Sequence, residues 1–100
     1  MVSVTIIYWR DIPAQVIVGK GRKSAKRQLS DRFEKAIDMA AMRAKIEGTD
    51  EYLAEWRKVQ TCTLEGKESL LAEMEAAKLE AAYDAECIKK LVENLGWAET

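Results

Sequence analysis

The first nineteen residues carry an alternation of apolar and polar positions. Residues 2–9 alternate with the two-residue period of a strand and are rich in β-branched and aromatic types. A charged pair and Pro13 follow, a combination that is typical of a turn. Residues 15–18 form a second apolar run, which Gly19 ends. The pattern therefore predicts a β-hairpin over residues 1–19.

Helical spacing replaces this alternation in the middle of the chain. Residues 20–29 form a basic connector, and from Ser30 onward apolar residues recur every three or four positions. The spacing predicts two helices within residues 30–58. Residues 59–65 alternate again, and they are compatible either with a third strand beside the hairpin or with a loop.

A long apolar stripe marks the last third of the chain. Its members recur at helical spacing: Leu70, Met74, Ala77, Ala81, Ala85, Ile88, Val92 and Leu95. The stripe predicts one helix over residues 68–96 that packs through this face. The order of elements predicts one α+β domain over residues 1–100, in which two to three helices cover a small antiparallel sheet.

Charge is segregated along the chain, although the net charge is only −1. Residues 1–30 hold six basic residues and one acidic residue, whereas residues 66–100 hold four basic and eight acidic residues. No stretch approaches the roughly 18 apolar residues that a membrane span requires. The first residues lack the basic lead and cleavage site of a signal peptide. We expect a cytoplasmic protein.

Several kinds of chemistry have no residues to support them. The sequence contains no histidine, which removes the Ser-His-Asp and Cys-His catalytic arrangements and all metal sites that use histidine. Cys62 and Cys87 lie far apart, without the spacing of a disulfide framework or a zinc site. We expect neither catalytic residues nor a metal site nor a cofactor, and a protein that is not an enzyme.

The most unusual local sequence surrounds the predicted turn. Tryptophan and arginine dominate interface hot spots, and an arginine guanidinium can bind a carboxylate or phosphate with two hydrogen bonds. These observations give a candidate docking surface: Trp9, Arg10, Asp11, Pro13 and Gln15. The alternative is a tryptophan packed over the end of the sheet, with Arg10 paired to an acid. Docking predicts that replacing Trp9 and Arg10 leaves stability nearly unchanged, whereas packing predicts a large loss.

The basic connector supplies a second group of candidate binding residues: Lys20, Arg22, Lys23 and Arg27. Nucleic-acid binding usually requires a larger positive excess and an element that fills a groove, so we do not expect a nucleic-acid partner. A solvated loop, a docking site for an acidic protein surface and an anion site stay open as interpretations.

Four groups of residues carry a resemblance to a known family: Ile6 to Val16, Arg32-Phe33, Ala36-Ile37-Asp38 with Ala40-Ala41, and Tyr52 to Trp56. Over roughly residues 3–58 the chain resembles the bacterial virulence-factor domain. That domain occurs at the end of conserved virulence factor C proteins and as short stand-alone proteins. The resemblance implies no catalytic residues. Stand-alone relatives tend to sit near genes for folate- and corrinoid-dependent one-carbon transfer, which implies an accessory subunit by association.

Three functions follow as hypotheses. The favoured one is a non-catalytic accessory or adaptor protein that docks a larger protein, expected to be an enzyme of one-carbon or methyl transfer. The first alternative is a protein that binds a small anion or cofactor through Arg10, Lys20, Gly21 and Arg22. The second alternative is a homodimeric structural module joined through the last helix, whose alanines suit close packing.

Overall fold

Four strands form one antiparallel sheet in the order β3-β2-β1-β4 in the computed structural model. The structure describes residues 2–46 and 49–98, and within these it describes only the backbone of Lys23 and Thr49. The strands are β1 Val2–Trp9, β2 Ile12–Val18, β3 Ala25–Gln28 and β4 Trp56–Leu64. The α+β prediction and the hairpin are confirmed. Of the two interpretations of residues 59–65, the structure shows the strand, as part of β4 Trp56–Leu64.

The described residues also form four α-helices: α1 Asp31–Arg43, α2 Thr49–Ala54, α3 Glu68–Ala82 and α4 Ala85–Glu93. Helix α3 packs on β2 and β3, helix α1 packs on α4, and α2 lies next to β4. The core joins one face of the sheet to the helices through fully buried Val4, Val16 and Val18. The apolar positions of this face come from the alternation within β1 and β2, because alternate strand residues point to one side.

The basic connector is more ordered than predicted. Residues 20–29 contain strand β3, which pairs with β2 so that Lys26 lies opposite Ile17 and Arg27 opposite Val16. Charged side chains obscured this strand in the sequence. They are compatible with it because β3 is an edge strand, where charges discourage pairing with other chains. Similarly, the predicted second helix ends at Ala54, and Trp56 begins β4.

The prediction of a single helix over 68–96 is wrong. The chain breaks between α3 and α4 at Tyr83 and Asp84, where the Asp84 carboxylate accepts a hydrogen bond of 2.9 Å from the Cys87 backbone N–H and caps α4. The predicted packing face of α3 is also wrong, because Leu70 and Met74 are each 57% exposed. The buried face of α3 instead contains Leu71, Ala72 and Ala76.

A carboxylate from α3 holds the start of α1. Ser30 is the N-cap residue of α1, but its own side chain makes no capping bond. The Glu80 carboxylate accepts bonds of 2.8 Å from both the backbone N–H and the hydroxyl of Ser30, and one of 3.1 Å from Arg32 Nη2. Burial raises the pKa of Glu80, but the hydrogen bonds from Ser30 and Arg32 lower it by more, so the net pKa is depressed.

This arrangement predicts a pH-dependent contribution to stability. We expect Glu80→Gln to lower the free energy of unfolding by about 1–2 kcal/mol at neutral pH, because it weakens charge-assisted bonds at a helix start. The folded pKa lies below the unfolded value, so the contribution is complete above the unfolded pKa and is lost as pH falls through the folded pKa. Urea unfolding of the wild type and of Glu80→Gln, from pH 7 down to pH 3, measures this contribution to the free energy of unfolding. A difference between the two proteins that stays constant across this range would contradict the assignment.

Candidate functional site

The hairpin turn consists of two residues, Arg10 and Asp11, between the paired residues Trp9 and Ile12. Arg10 has φ +54°, a left-handed conformation that usually favours glycine at this position of a tight turn. Two backbone hydrogen bonds hold the turn, one of 3.1 Å from Arg10 N to the Glu55 carbonyl and one of 2.8 Å from Asp11 N to the Gly96 carbonyl. The turn is therefore fixed by distant parts of the chain.

Trp9 faces the interior, contrary to its use as a docking residue. Its side chain is fully buried, and its Nε1 donates a hydrogen bond of 3.1 Å to the Tyr52 carbonyl. Gly96 closes over the ring with φ +93°, and a Cβ atom built at Gly96 would lie 3.0 Å from Trp9 Cζ3. The chain passes so close to the tryptophan that the position favours glycine. Trp9 is part of the core.

The Arg10 side chain is also engaged within the molecule. Its guanidinium lies 5.1 Å from the centroids of both Trp9 and Trp97, which places it against two aromatic rings. Arg10 Nη1 donates a bond of 2.7 Å to the Leu95 carbonyl, and Arg10 Nε lies 3.5 Å from Glu55 Oε2. Arg10 Nε is buried and makes no hydrogen bond to the described residues. The side chain is only 12% exposed, so little of it is accessible to a partner.

We call these contacts of the Arg10 side chain the clamp at the turn. Asp11 adds to the clamp with both of its carboxylate oxygens. One accepts a bond of 2.7 Å from Arg57 Nη2, and the other accepts a bond of 2.6 Å from the Ala98 backbone N–H. Arg57 Nε donates to the Arg10 carbonyl at 3.0 Å, and its guanidinium lies 5.2 Å from the Tyr8 ring centroid. The charged pair of the turn thus binds the C-terminal segment and β4.

The remaining predicted binding residues do not join this turn in one site. Pro13 is buried, and Gln15 is half-buried on the sheet. Residues 20–24 of the basic connector lie at the opposite end of β2, which spans roughly 23 Å at about 3.3 Å per residue. There, Lys20 and Arg22 are exposed, while the side chain of Lys23 lies outside the described residues. Arg27 of β3 binds Glu73 of α3 at 2.9 Å.

Two of the predicted sites are therefore not assembled. The predicted anion site combined Arg10 with Lys20, Gly21 and Arg22, and the sheet separates Arg10 from the other three. The combined docking surface of turn and connector is divided in the same way. The turn residues stabilise the fold, and only the connector is open to solvent.

A different surface is available on the sheet. Its residues form two cross-strand rows that alternate with the core positions: Gln28-Gln15-Ile7-Lys58 and Lys26-Ile17-Thr5-Gln60. We call these eight residues the open sheet face. None of them is buried, and the two isoleucines at its centre are half-exposed. Sequence reasoning identified only Gln15, although the apolar Ile7 and Ile17 at polar positions of the alternation were a signal for a second binding face.

The charge of the sheet is one-sided. The four strands contain Lys26, Arg27, Arg57 and Lys58 and no acidic residue. Acidic residues outnumber basic residues in the helices. The open sheet face therefore presents an apolar centre and a basic rim on the opposite side from acidic α3.

Two other features are absent from the described residues. They contain no group of three or more potential metal ligands. None of the helices in the described ranges combines the length and apolar character needed to cross a bilayer.

Comparison with known proteins identifies a family. The family model described as "Virulence factor" matches residues 7–92. The match covers most of the chain and continues from the hairpin into α4, beyond the segment that carried the resemblance in the sequence. Comparison with curated proteins and with solved structures finds no match.

The burial of Trp9 predicts a structural phenotype. We expect Trp9→Ala to lower the free energy of unfolding by about 3–5 kcal/mol, because it leaves a cavity beneath Gly96 and removes one ring from Arg10. Trp97→Ala is the matched control. It removes the other ring beside Arg10, which is 44% exposed, and should lower the free energy of unfolding by about 1 kcal/mol. Urea denaturation compares the two variants, and similar small losses for both would contradict the core assignment of Trp9.

Proposed function

The chain belongs to the virulence factor family, and we propose that it acts as a non-catalytic adaptor that binds an acidic surface of a larger protein through its open sheet face. The observation that carries the proposal is an uncovered sheet surface with two central isoleucines, two lysines and no acidic residue in its strands. An apolar centre within a polar rim is the usual anatomy of a protein interface.

The arrangement of the lysines favours a protein partner with carboxylates. Lys58 lies beside Ile7, and Lys26 lies beside Ile17, so each apolar side chain has a cation next to it on the same row. Both lysines are exposed and form no ion pair with the described residues. A partner that places apolar residues between acidic ones would contact the isoleucine and the lysine of both rows at once.

A shallow groove extends the face beyond the strands. It has a volume of about 350 Å³, and the residues that line it are Ile7, Leu53, Trp56, Arg57 and Lys58. Leu53 of α2 is 57% exposed beside half-buried Trp56. Such a groove would accept one apolar side chain of the partner, which would fix its position more strongly than charge alone.

The adaptor role is favoured over catalysis by the residue types available. The sequence lacks histidine, and the charged pair of the unusual turn is occupied by contacts with Arg57 and the C-terminal segment. We propose that the partner is an enzyme of folate- or corrinoid-dependent one-carbon transfer in the cytoplasm. That assignment rests on the association of stand-alone family members with such genes.

Charge reversal on the open sheet face tests the proposal. We expect Lys26→Glu combined with Lys58→Glu to weaken partner binding by about 100-fold, because two attractive contacts become repulsive. The matched control, Lys35→Glu with Lys89→Glu, changes the net charge equally on exposed positions of α1 and α4 and should bind normally. Affinity purification from the producing cells identifies the partner, and calorimetry with purified components measures affinity.

Two results would contradict the adaptor proposal. One is an equal loss of affinity in both double variants while circular dichroism shows both to be folded. The other is a partner that binds normally to the Lys26/Lys58 variant. Competition by added RNA or DNA would indicate a nucleic-acid surface instead.

Self-association through α3 is a second candidate, favoured by its exposed apolar positions. Leu70, Met74, Ala77 and Ala81 follow the alternating spacing of four and three residues found in helix pairs. Helix α3 thus has apolar residues on both its buried and its exposed sides. In a parallel pair the flanking Glu73 and Lys78 of two copies would face each other with opposite charges.

Sedimentation velocity distinguishes this candidate from a monomer. If α3 joins two copies, we expect a dimer at micromolar concentration that Leu70→Glu with Met74→Glu converts to a monomer. Those positions are exposed, so the free energy of unfolding of the variant should stay within about 1 kcal/mol of the wild-type value. A wild-type monomer over the whole concentration range would exclude the homodimeric module.

A further inference from the structure

A second concave surface lies between the hairpin turn, the end of α3 and helix α4. It has a volume of about 570 Å³, within the range of small-molecule sites. Its wall includes Tyr8, Asp11, Arg57, Tyr83, Lys90 and Leu91. Two of these residues, Asp11 and Arg57, are held by the contacts at the hairpin turn.

The polar groups of this cavity leave one positive charge without a counter-ion. Asp11 is saturated, because Arg57 and the Ala98 N–H occupy its two oxygens. Arg57 uses Nε and Nη2 for internal bonds, whereas its Nη1 has no partner among the described residues. Lys90 likewise forms no ion pair with them. Arg57 and Asp11 balance each other, and Lys90 supplies a net charge of +1 beside the free Arg57 donor.

The rest of the wall is apolar and aromatic. Leu91 is buried behind the cavity, Ala82 lines it, and the rings of Tyr8 and Tyr83 form one side. Burial raises the pKa of the Tyr8 phenol, and burial together with the neighbouring Tyr8 raises that of Tyr83. Both phenols are therefore neutral at pH 7 and do not repel an anion.

We propose that this cavity is a binding site for a small aromatic monocarboxylate. The ring of the ligand would lie against Leu91, Ala82 and the tyrosines, and its carboxylate would meet Lys90 and Arg57 Nη1. One unbalanced positive charge matches a monoanion better than a phosphate dianion. The cavity shares only Arg57 with the groove beside the open sheet face, and its lining residues differ from those predicted to bind an anion across the turn and the connector.

The test is an NMR titration of the ¹⁵N-labelled full chain with benzoate, phenylacetate and 4-hydroxybenzoate. We expect saturable shifts of the backbone amides around Tyr83, Cys87 and Lys90, with millimolar or tighter affinity. Benzamide has the same shape without the charge and should bind about tenfold more weakly. Inorganic phosphate should produce no saturable shifts at these amides.

Two variants locate the binding. Lys90→Met keeps the aliphatic stem and removes the charge, and should weaken benzoate binding about tenfold. Its control, Lys89→Met, changes the neighbouring residue of α4, which does not line the cavity, and should bind normally. Ala82→Phe should abolish binding by filling the cavity, and its own spectrum reports whether it folds.

The proposal is overturned if no probe shows saturable shifts at these amides, if benzamide binds as well as benzoate, or if phosphate binds more tightly than the carboxylates. It is also overturned if Lys89→Met and Lys90→Met weaken binding equally. None of these four outcomes depends on a protein partner, so failure here would leave the adaptor proposal in place.

Discussion

The contact on which the rest of the structure depends is the clamp of Arg10 between two tryptophan rings. Removing a guanidinium from water is costly, and here the cost is offset by Glu55, by the Leu95 carbonyl and by stacking on Trp9 and Trp97. These groups come from β1, the end of α2 and the C-terminal segment. The Arg10 side chain therefore joins the hairpin turn to the C-terminal segment, because it contacts Leu95, which is 85 positions away in the sequence.

This clamp explains why the most unusual sequence of the protein is not its most accessible surface. Arginine and tryptophan are the residue types of binding hot spots because they combine large contact areas with directional polar groups. The same properties stabilise an internal clamp, and at this turn they are used inside the molecule. The surface that we propose for docking consists of ordinary residues such as Lys26, Lys58 and Gln60, which the sheet places in two rows.

Elements that a periodic pattern specifies could be predicted from the sequence. Features that depend on a single contact could not. The alternation in β1 and β2 survives in the structure at Val4, Ile6, Val16 and Val18, because the core requires alternate positions to be apolar. The helix break at Asp84 depends on one side-chain cap, and the continuous apolar stripe concealed it. The packing face of α3 could not be assigned from periodicity, because apolar residues occur on both sides of that helix. The direction of Trp9 depends on Gly96, which is distant in sequence.

The two proposed sites meet at Arg57. Ile7 and Lys58 belong to the open sheet face, and the adjacent Tyr8 lines the cavity. Arg57 lines both the cavity and the groove beside the open sheet face. If a ligand in the cavity alters docking, the effect must pass through β1 and β4, and binding of the partner must alter ligand affinity by the same factor. Arg57 also holds the turn through Asp11 and the Arg10 carbonyl, so a ligand on its free nitrogen would act next to the Arg10 contacts that close the fold.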